Sequence, residues 1–137
     1  MRANRQSIIL VPLWLALGGW PAAAQTPATS DPVAAERIGI DDFRTLHARG
    51  EVFVIDVRGA EAFTAGHIPG AVSVPLDQVE RRAGEIRAKA TGLAIVTYCS
   101  CPDEHASLAA VRILAAQGVI HARALVGGYP AWVAKSE

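Results

Sequence analysis

Two runs of this chain, Val52-Phe53-Val54-Ile55-Asp56-Val57 and Leu93-Ala94-Ile95-Val96-Thr97-Tyr98, are apolar on both alternating faces and rich in β-branched residues. A strand without apolar/polar alternation must be covered on both sides, the condition of a parallel sheet between helical layers. Helical spacing fills the intervals. Leu76, Val79, Ala83, Ile86 and Ala90 recur on one face of residues 76–90, with Arg81, Arg82, Glu85, Arg87 and Lys89 on the others. Leu108, Val111, Leu114 and Ala115 do the same in residues 106–117, which stop at Gly118. Asp41 is the expected N-cap of a helix through Phe43, Leu46 and His47 that ends at Gly50. Residues 61–65 suit a short helix ended by Gly66, and residues 71–74 and 122–126 suit further strands. Strands alternating with helices predict an α/β fold: a mostly parallel sheet with helices on both faces.

The beginning of the chain has a different character. Arg2 and Arg5 make a basic start, residues 8–20 an apolar stretch, and Ala22-Ala23-Ala24 a small-residue cleavage motif before Gln25. Pro21 interrupts the stretch before it is long enough to span a membrane convincingly. We therefore expect residues 1–24 to be a signal peptide removed on export to the periplasm or the outside, with an uncleaved signal anchor as the alternative. No cysteine stands at the cleavage site, so lipid anchoring is not indicated. Residues 25–35, rich in Pro, Thr, Ser and Ala, read as a flexible leader, and residues 36–137 as one domain. Two of the 13 Lys and Arg leave with the signal and none of the 13 Asp and Glu, leaving 11 against 13 and a formal charge of −2. That balance argues against a nucleic-acid partner. The mixed signs of residues 76–90 read as a solvated face, and no stable membrane insertion is expected once the signal is gone.

Both cysteines of the protein follow the second apolar run, in Cys99-Ser100-Cys101-Pro102-Asp103-Glu104-His105-Ala106-Ser107. Pro102 suits the first position of a helix, and Asp103 and Glu104 are favourable in its first turn. A thiol delivered from a strand end to a helix N-terminus faces orphan N–H groups that favour the thiolate, so Cys99 is a candidate nucleophile. The position outside the carboxyl end of a parallel strand is also where open α/β sheets bind ligands. Cys101 has three readings. It can resolve a persulfide or mixed disulfide on Cys99, join Cys99 and His105 as an open soft-metal site, or serve as a cap or packing residue. A Cys99–Cys101 disulfide would close a tight ring, strained and easily reduced, and would add little stability.

Three segments together resemble one family. Ile55-Asp56-Val57-Arg58, Gly66-His67-Ile68-Pro69-Gly70-Ala71 and Gly127-Gly128-Tyr129-Pro130-Ala131-Trp132 are similar, in order and spacing, to signatures of the rhodanese-like domain, over residues 36–134. Tyr98-Cys99 falls where that family carries its catalytic cysteine. The resemblance implies a five-stranded, mostly parallel sheet, and a cysteine persulfide loaded from a small-molecule or protein-bound sulfur donor and passed to a thiol acceptor. It implies no cofactor. Active members commonly carry a cation, often Arg, five residues after the cysteine, where this chain has Glu104. The loop is about two residues longer than the common form, which places Ser107 where a Ser usually follows that Arg. Two carboxylates in the helix's first turn would compete with an anionic donor, so poor thiosulfate turnover is expected.

Asp56 and Arg58 read as a strand-end polar network supporting the loops beside the site. His67 reads as a hydrogen-bonded core residue, His47 and His121 as ordinary surface positions, and His105 as the one histidine placed to act as a proton partner. Two alternatives stay open beside the sulfurtransferase. One is a thiol oxidoreductase cycling Cys99 and Cys101; the other is a catalytically silent module that binds a partner protein. A cysteine phosphatase is disfavoured, because residues 100–108 hold no Arg to clamp a phosphate.

Overall fold

The computed structural model describes residues 36–136; the expected signal peptide and leader lie outside the described residues. Five strands, β1 (Arg37–Ile38), β2 (Val52–Asp56), β3 (Val72–Ser73), β4 (Ala94–Tyr98) and β5 (Ala122–Leu125), form one sheet in the order β1-β5-β4-β2-β3. Every pairing is parallel. The helices are α1 (Ile40–Ala48), α2 (Ala60–Ala65), α3 (Val79–Lys89), α4 (His105–Ala116) and α5 (Gly128–Ala134), with a 3-10 turn at Leu76–Gln78 leading into α3.

Period-two alternation sorts the strand side chains into two cores. Ile55 and Ile95 pack with Val79, Ala83 and Ile86 of α3 and Leu108, Val111 and Leu114 of α4. Val54, Val96 and Tyr98 pack on the opposite face with Phe43 of α1, while Tyr129 and Trp132 of α5 close that layer. Both apolar runs are therefore covered twice, as their lack of alternation requires. Among the described residues no helix is long and apolar enough to cross a membrane.

Several local expectations are corrected. Gly39, not Asp41, is the N-cap of α1, and Asp41 and Asp42 lie in its first turn, where a carboxylate meets the positive end of the dipole. The closing glycine segment, not assigned an element from sequence, continues as α5. The largest shift concerns α4. It begins at His105, so Pro102 and Asp103 form a turn and Glu104 is the N-cap in left-handed conformation (φ 55°). Pro102 thus does not open the helix. His67 is exposed, its Nδ1 donating to the Phe63 carbonyl (2.8 Å) and its ring stacked on Phe63 at 3.7 Å, so it is not a core residue. His47 is more than a bare surface residue, since its ring sits 5.0 Å from that of Trp132 and its Nε2 donates to the Pro69 carbonyl (2.7 Å).

Candidate active site

After β2 the chain crosses to β3 on one side of the sheet, and after β4 it crosses to β5 on the other. The carboxyl ends of these adjacent strands therefore flank the topological switch point, where open α/β sheets leave a crevice. Asp56 and Tyr98, the last residues of the two strands, are paired in register. Arg58 follows one strand and Cys99 the other.

Asp56 is fully buried and fully occupied. It accepts from the Arg58 backbone N–H (2.9 Å), Arg58 Nε (2.9 and 3.1 Å), Arg58 Nη2 (2.6 Å) and the Tyr98 hydroxyl (2.7 Å). Hydrogen bonding to Asp56 holds the Arg58 pKa above its ordinary value against the effect of burial. Arg58 Nη2 also donates to the Gly66 carbonyl (2.7 Å), and the guanidinium lies over the rings of Tyr129 (4.4 Å) and Tyr98 (5.4 Å). Burial and the bond to Asp56 push the Tyr98 phenol well up, so it stays protonated and keeps donating. The sequence-level network of Asp56 and Arg58 is thus present, anchored by a tyrosine from the neighbouring strand. Its remaining donor, Nη1, reaches toward Ser100 Oγ (3.5 Å).

Period two turns Cys99 to the face opposite Tyr98, under the start of α4. Its Sγ receives the Cys101 backbone N–H (3.4 Å) and contacts Ser107 Oγ (3.7 Å), whose hydroxyl donates to the Glu104 carbonyl (3.0 Å). Thr97 Oγ1 in turn donates to the Ser107 carbonyl (3.0 Å), tying the first turn of α4 to β4. The N–H of Ala106, in the first turn of α4, is directed at the other thiol, Cys101. Burial and the hydrogen bond to Cys99 push the Cys101 thiol up, and the Ala106 N–H only partly offsets them. Both cysteines are free. They open into a cavity of about 450 Å³, whose further lining includes Val57, Arg58, Ala62, Ser100, Pro102, His105 and Ala106.

The two loop carboxylates part company. Asp103 is exposed and pairs with His105 Nδ1 (2.9 Å), a bond that lowers the Asp103 pKa. Glu104 is buried and faces away from the cavity. It accepts the Gly127 N–H (2.8 Å) and pairs with Arg37 Nε of β1 (3.3 Å). The expectation that both carboxylates sit in the helix's first turn and crowd the anion cradle is therefore corrected. With α4 starting at His105, the left-handed backbone at Glu104 turns its side chain toward the far edge of the sheet. Among the described residues no group of three His, Cys, Asp or Glu is placed to hold a metal ion, and His105 is engaged by Asp103.

The paired glycines after β5 complete the site. Gly128 has φ 52°, and a β-carbon on it would collide with the Cys99 carbonyl, which accepts the Tyr129 N–H (2.9 Å). Gly127 (φ 73°) supplies the N–H taken by Glu104. The cysteine loop is thus held from behind by the C-terminal glycine turn. Reasoning from sequence missed this clasp of Glu104, Arg37 and Gly127; the signal available was the unusual pair of glycines directly after a strand.

Comparison with known proteins agrees with this geometry. The family of rhodanese-like domains matches residues 40–135. The chain belongs to that family. A human thiosulfate:glutathione sulfurtransferase is 28% identical over 110 residues, covering 74% of this chain and 96% of that protein. The solved structure of a human single-domain sulfurtransferase superposes with a TM-score of 0.64 at 25% identity, covering 74% of this chain and 98% of that one. An adenylyltransferase and sulfurtransferase from Aedes aegypti is 34% identical over 106 residues, 71% of this chain and 24% of that protein. This rhodanese-like chain spans less than half the length of several curated relatives, 43%, 24% and 31% in three of them. Sulfur transfer in general is the activity these relatives share by name with the fold.

Proposed function

We propose that this chain is an exported sulfurtransferase or persulfide carrier in which Cys99 is the nucleophile. The observation that carries the reading is the setting of Cys99 Sγ, at the strand end beside the switch-point crevice, with the Cys101 backbone N–H directed at it and the Ser107 hydroxyl oxygen in contact. The Cys99 thiolate attacks the outer sulfur of a donor R–S–S⁻, the donor's S–S bond breaks, and R–S⁻ leaves with the bonding electrons. Cys99 then carries the persulfide. An acceptor thiolate attacks the outer sulfur, and the Cys99 thiolate leaves. The Cys101 N–H steadies charge on the inner sulfur in both steps as a fixed donor, while the Ser107 hydroxyl oxygen, its proton given to the Glu104 carbonyl, accepts from the Cys99 S–H in the resting protein. Cys101, with its pKa raised, keeps its proton and donates to the Cys99 sulfur.

Thiosulfate turnover is expected to be poor. Asp103 stands at the loop, and the guanidinium of Arg58 is already balanced by Asp56. The segment before residue 25, read as an export signal, underlies a periplasmic or secreted location; N-terminal sequencing of the protein recovered outside the cytoplasm tests it, and a full-length cytoplasmic product would overturn it.

The contact between the two thiols favours a second reading, in which Cys99 and Cys101 give two electrons and two protons to an acceptor and close a disulfide. Intact mass before and after exposure to a persulfide donor separates the cases. A sulfurtransferase gains the mass of one sulfur atom in wild type and in Cys101→Ser, and none in Cys99→Ser. Loss of two hydrogens without sulfur gain would support the redox reading instead. No change in any variant would point to a module that only binds a partner protein.

A further inference from the structure

Resting on the reading of Cys99 as sulfur acceptor, we propose that its cavity is built for a low-molecular-weight organic persulfide with an alkyl body. Size argues first. The open crevice, about 450 Å³ in volume, has room for a whole small molecule. A cysteinyl persulfide presented by a folded protein would put only one carbon and two sulfurs into it.

The lining argues second. Apart from the two thiols, Val57, Ala62, Pro102 and Ala106 supply apolar wall. The polar members are partly committed: Arg58 Nε and Nη2 to Asp56, which leaves Nη1 near Ser100 Oγ, and His105 to Asp103. Charge argues third. Arg58 and Asp56 cancel, and Asp103 adds a negative charge at the loop, so among the described residues the cavity offers no uncompensated cation. An inorganic dianion entering it would give up water without an equal replacement. An alkyl chain would give up only water that the apolar wall also sheds. Arg58 Nη1 and Ser100 Oγ remain as donors for the single charge of the persulfide group.

The test is the rate at which Cys99 gains one sulfur, read by intact mass in single turnover. The donors are methyl, ethyl, propyl and butyl persulfide and thiosulfate, each normalised to its rate with free cysteine. Burial of each methylene in the cavity should raise the normalised rate up to about fourfold, and butyl should exceed methyl by more than about tenfold. Thiosulfate should be slowest. Ala62→Asp, which puts a carboxylate into the apolar wall, should flatten the series. A flat series with sulfur still loaded on Cys99 overturns the alkyl-donor inference and leaves the sulfurtransferase reading standing, as does thiosulfate loading as fast as butyl persulfide. Failure of every donor to load Cys99 overturns both.

Discussion

Asp56 with Arg58 and Glu104 with Arg37 are both carboxylate–guanidinium pairs beside the Cys99 loop, yet one spans two residues of chain and the other sixty-seven. The first is dense. Its carboxylate is fully buried and takes bonds from the Arg58 backbone, two of the three Arg58 side-chain nitrogens and a tyrosine hydroxyl. The second is sparser, with one backbone N–H and one guanidinium contact, and the Arg37 side chain is 28% exposed. The near-local pair fixes the floor of the crevice, because its two members leave the same strand end. The distant pair straps the cysteine loop to the C-terminal glycine turn and to β1. A polar cluster of short sequence span therefore anchors, and one of long span clasps.

Removing the anchor should have the largest effect. Asp56→Ala leaves Arg58 without its counter-charge and Tyr98 without its acceptor, and should lower unfolding free energy by about 3–5 kcal/mol, the range for breaking a buried ion pair from one side. For a domain of ordinary stability that removes much of the margin. Asp56→Asn keeps an acceptor oxygen and should lose less, which gives a foldable variant if the alanine protein does not fold. Urea unfolding measures both. A loss below about 1 kcal/mol for Asp56→Ala, the value typical of an exposed pair, would mean that the anchor is no stronger than a surface contact.

Opening the clasp should cost less and change reactivity more. Glu104→Ala orphans the Gly127 N–H and should lower stability by about 1–3 kcal/mol. Glu104→Gly loses the same bonds but relieves a left-handed backbone that costs a non-glycine residue about 1 kcal/mol, so it should be the more stable of the two. Equal stabilities would show that φ at this position stores nothing. In both folded variants Cys99 should take up sulfur more slowly than in wild type, because Ser107 hangs from the Glu104 carbonyl. Unchanged loading would mean the clasp does not position the loop.

The same contrast explains what could be read from the amino acids. The sheet was legible because residues 52–57 and 93–98 lack alternation, and a parallel sheet covered on both faces follows from burying them; its five strands were implied by the family resemblance. Cys99 was legible because a cysteine ending such a run has few places to go. Asp56 and Arg58 were legible as a pair because they are neighbours on one strand end. Glu104 was not. It was read as a first-turn carboxylate by local helix chemistry, but the turn at Pro102 and Asp103 delays the helix to His105. Its partners come from β1 and from the glycine turn, and nothing within the loop announces a contact sixty-seven residues away. Local rules place groups along an element; a left-handed N-cap redirects one to another part of the fold.

Tyr98→Phe should have the smallest effect and the most specific pH signature. The variant removes one donor to Asp56 and the acceptor of the Ile68 N–H (3.2 Å), so at neutral pH it should lose about 1 kcal/mol. In the folded protein burial and the Asp56 bond raise the phenol pKa, so the fold prefers the protonated form. Stability drawn from that preference is fully present below the ordinary tyrosine pKa, about 10, and is lost as pH rises above it. Phenylalanine has no such proton. The stability gap between wild type and Tyr98→Phe should therefore narrow from pH 9 toward pH 11, with Tyr129 common to both proteins and cancelling in the difference. A constant gap across that interval would show that the anchor does not depend on a neutral phenol, and that the buried charge of Asp56 is satisfied by Arg58 alone.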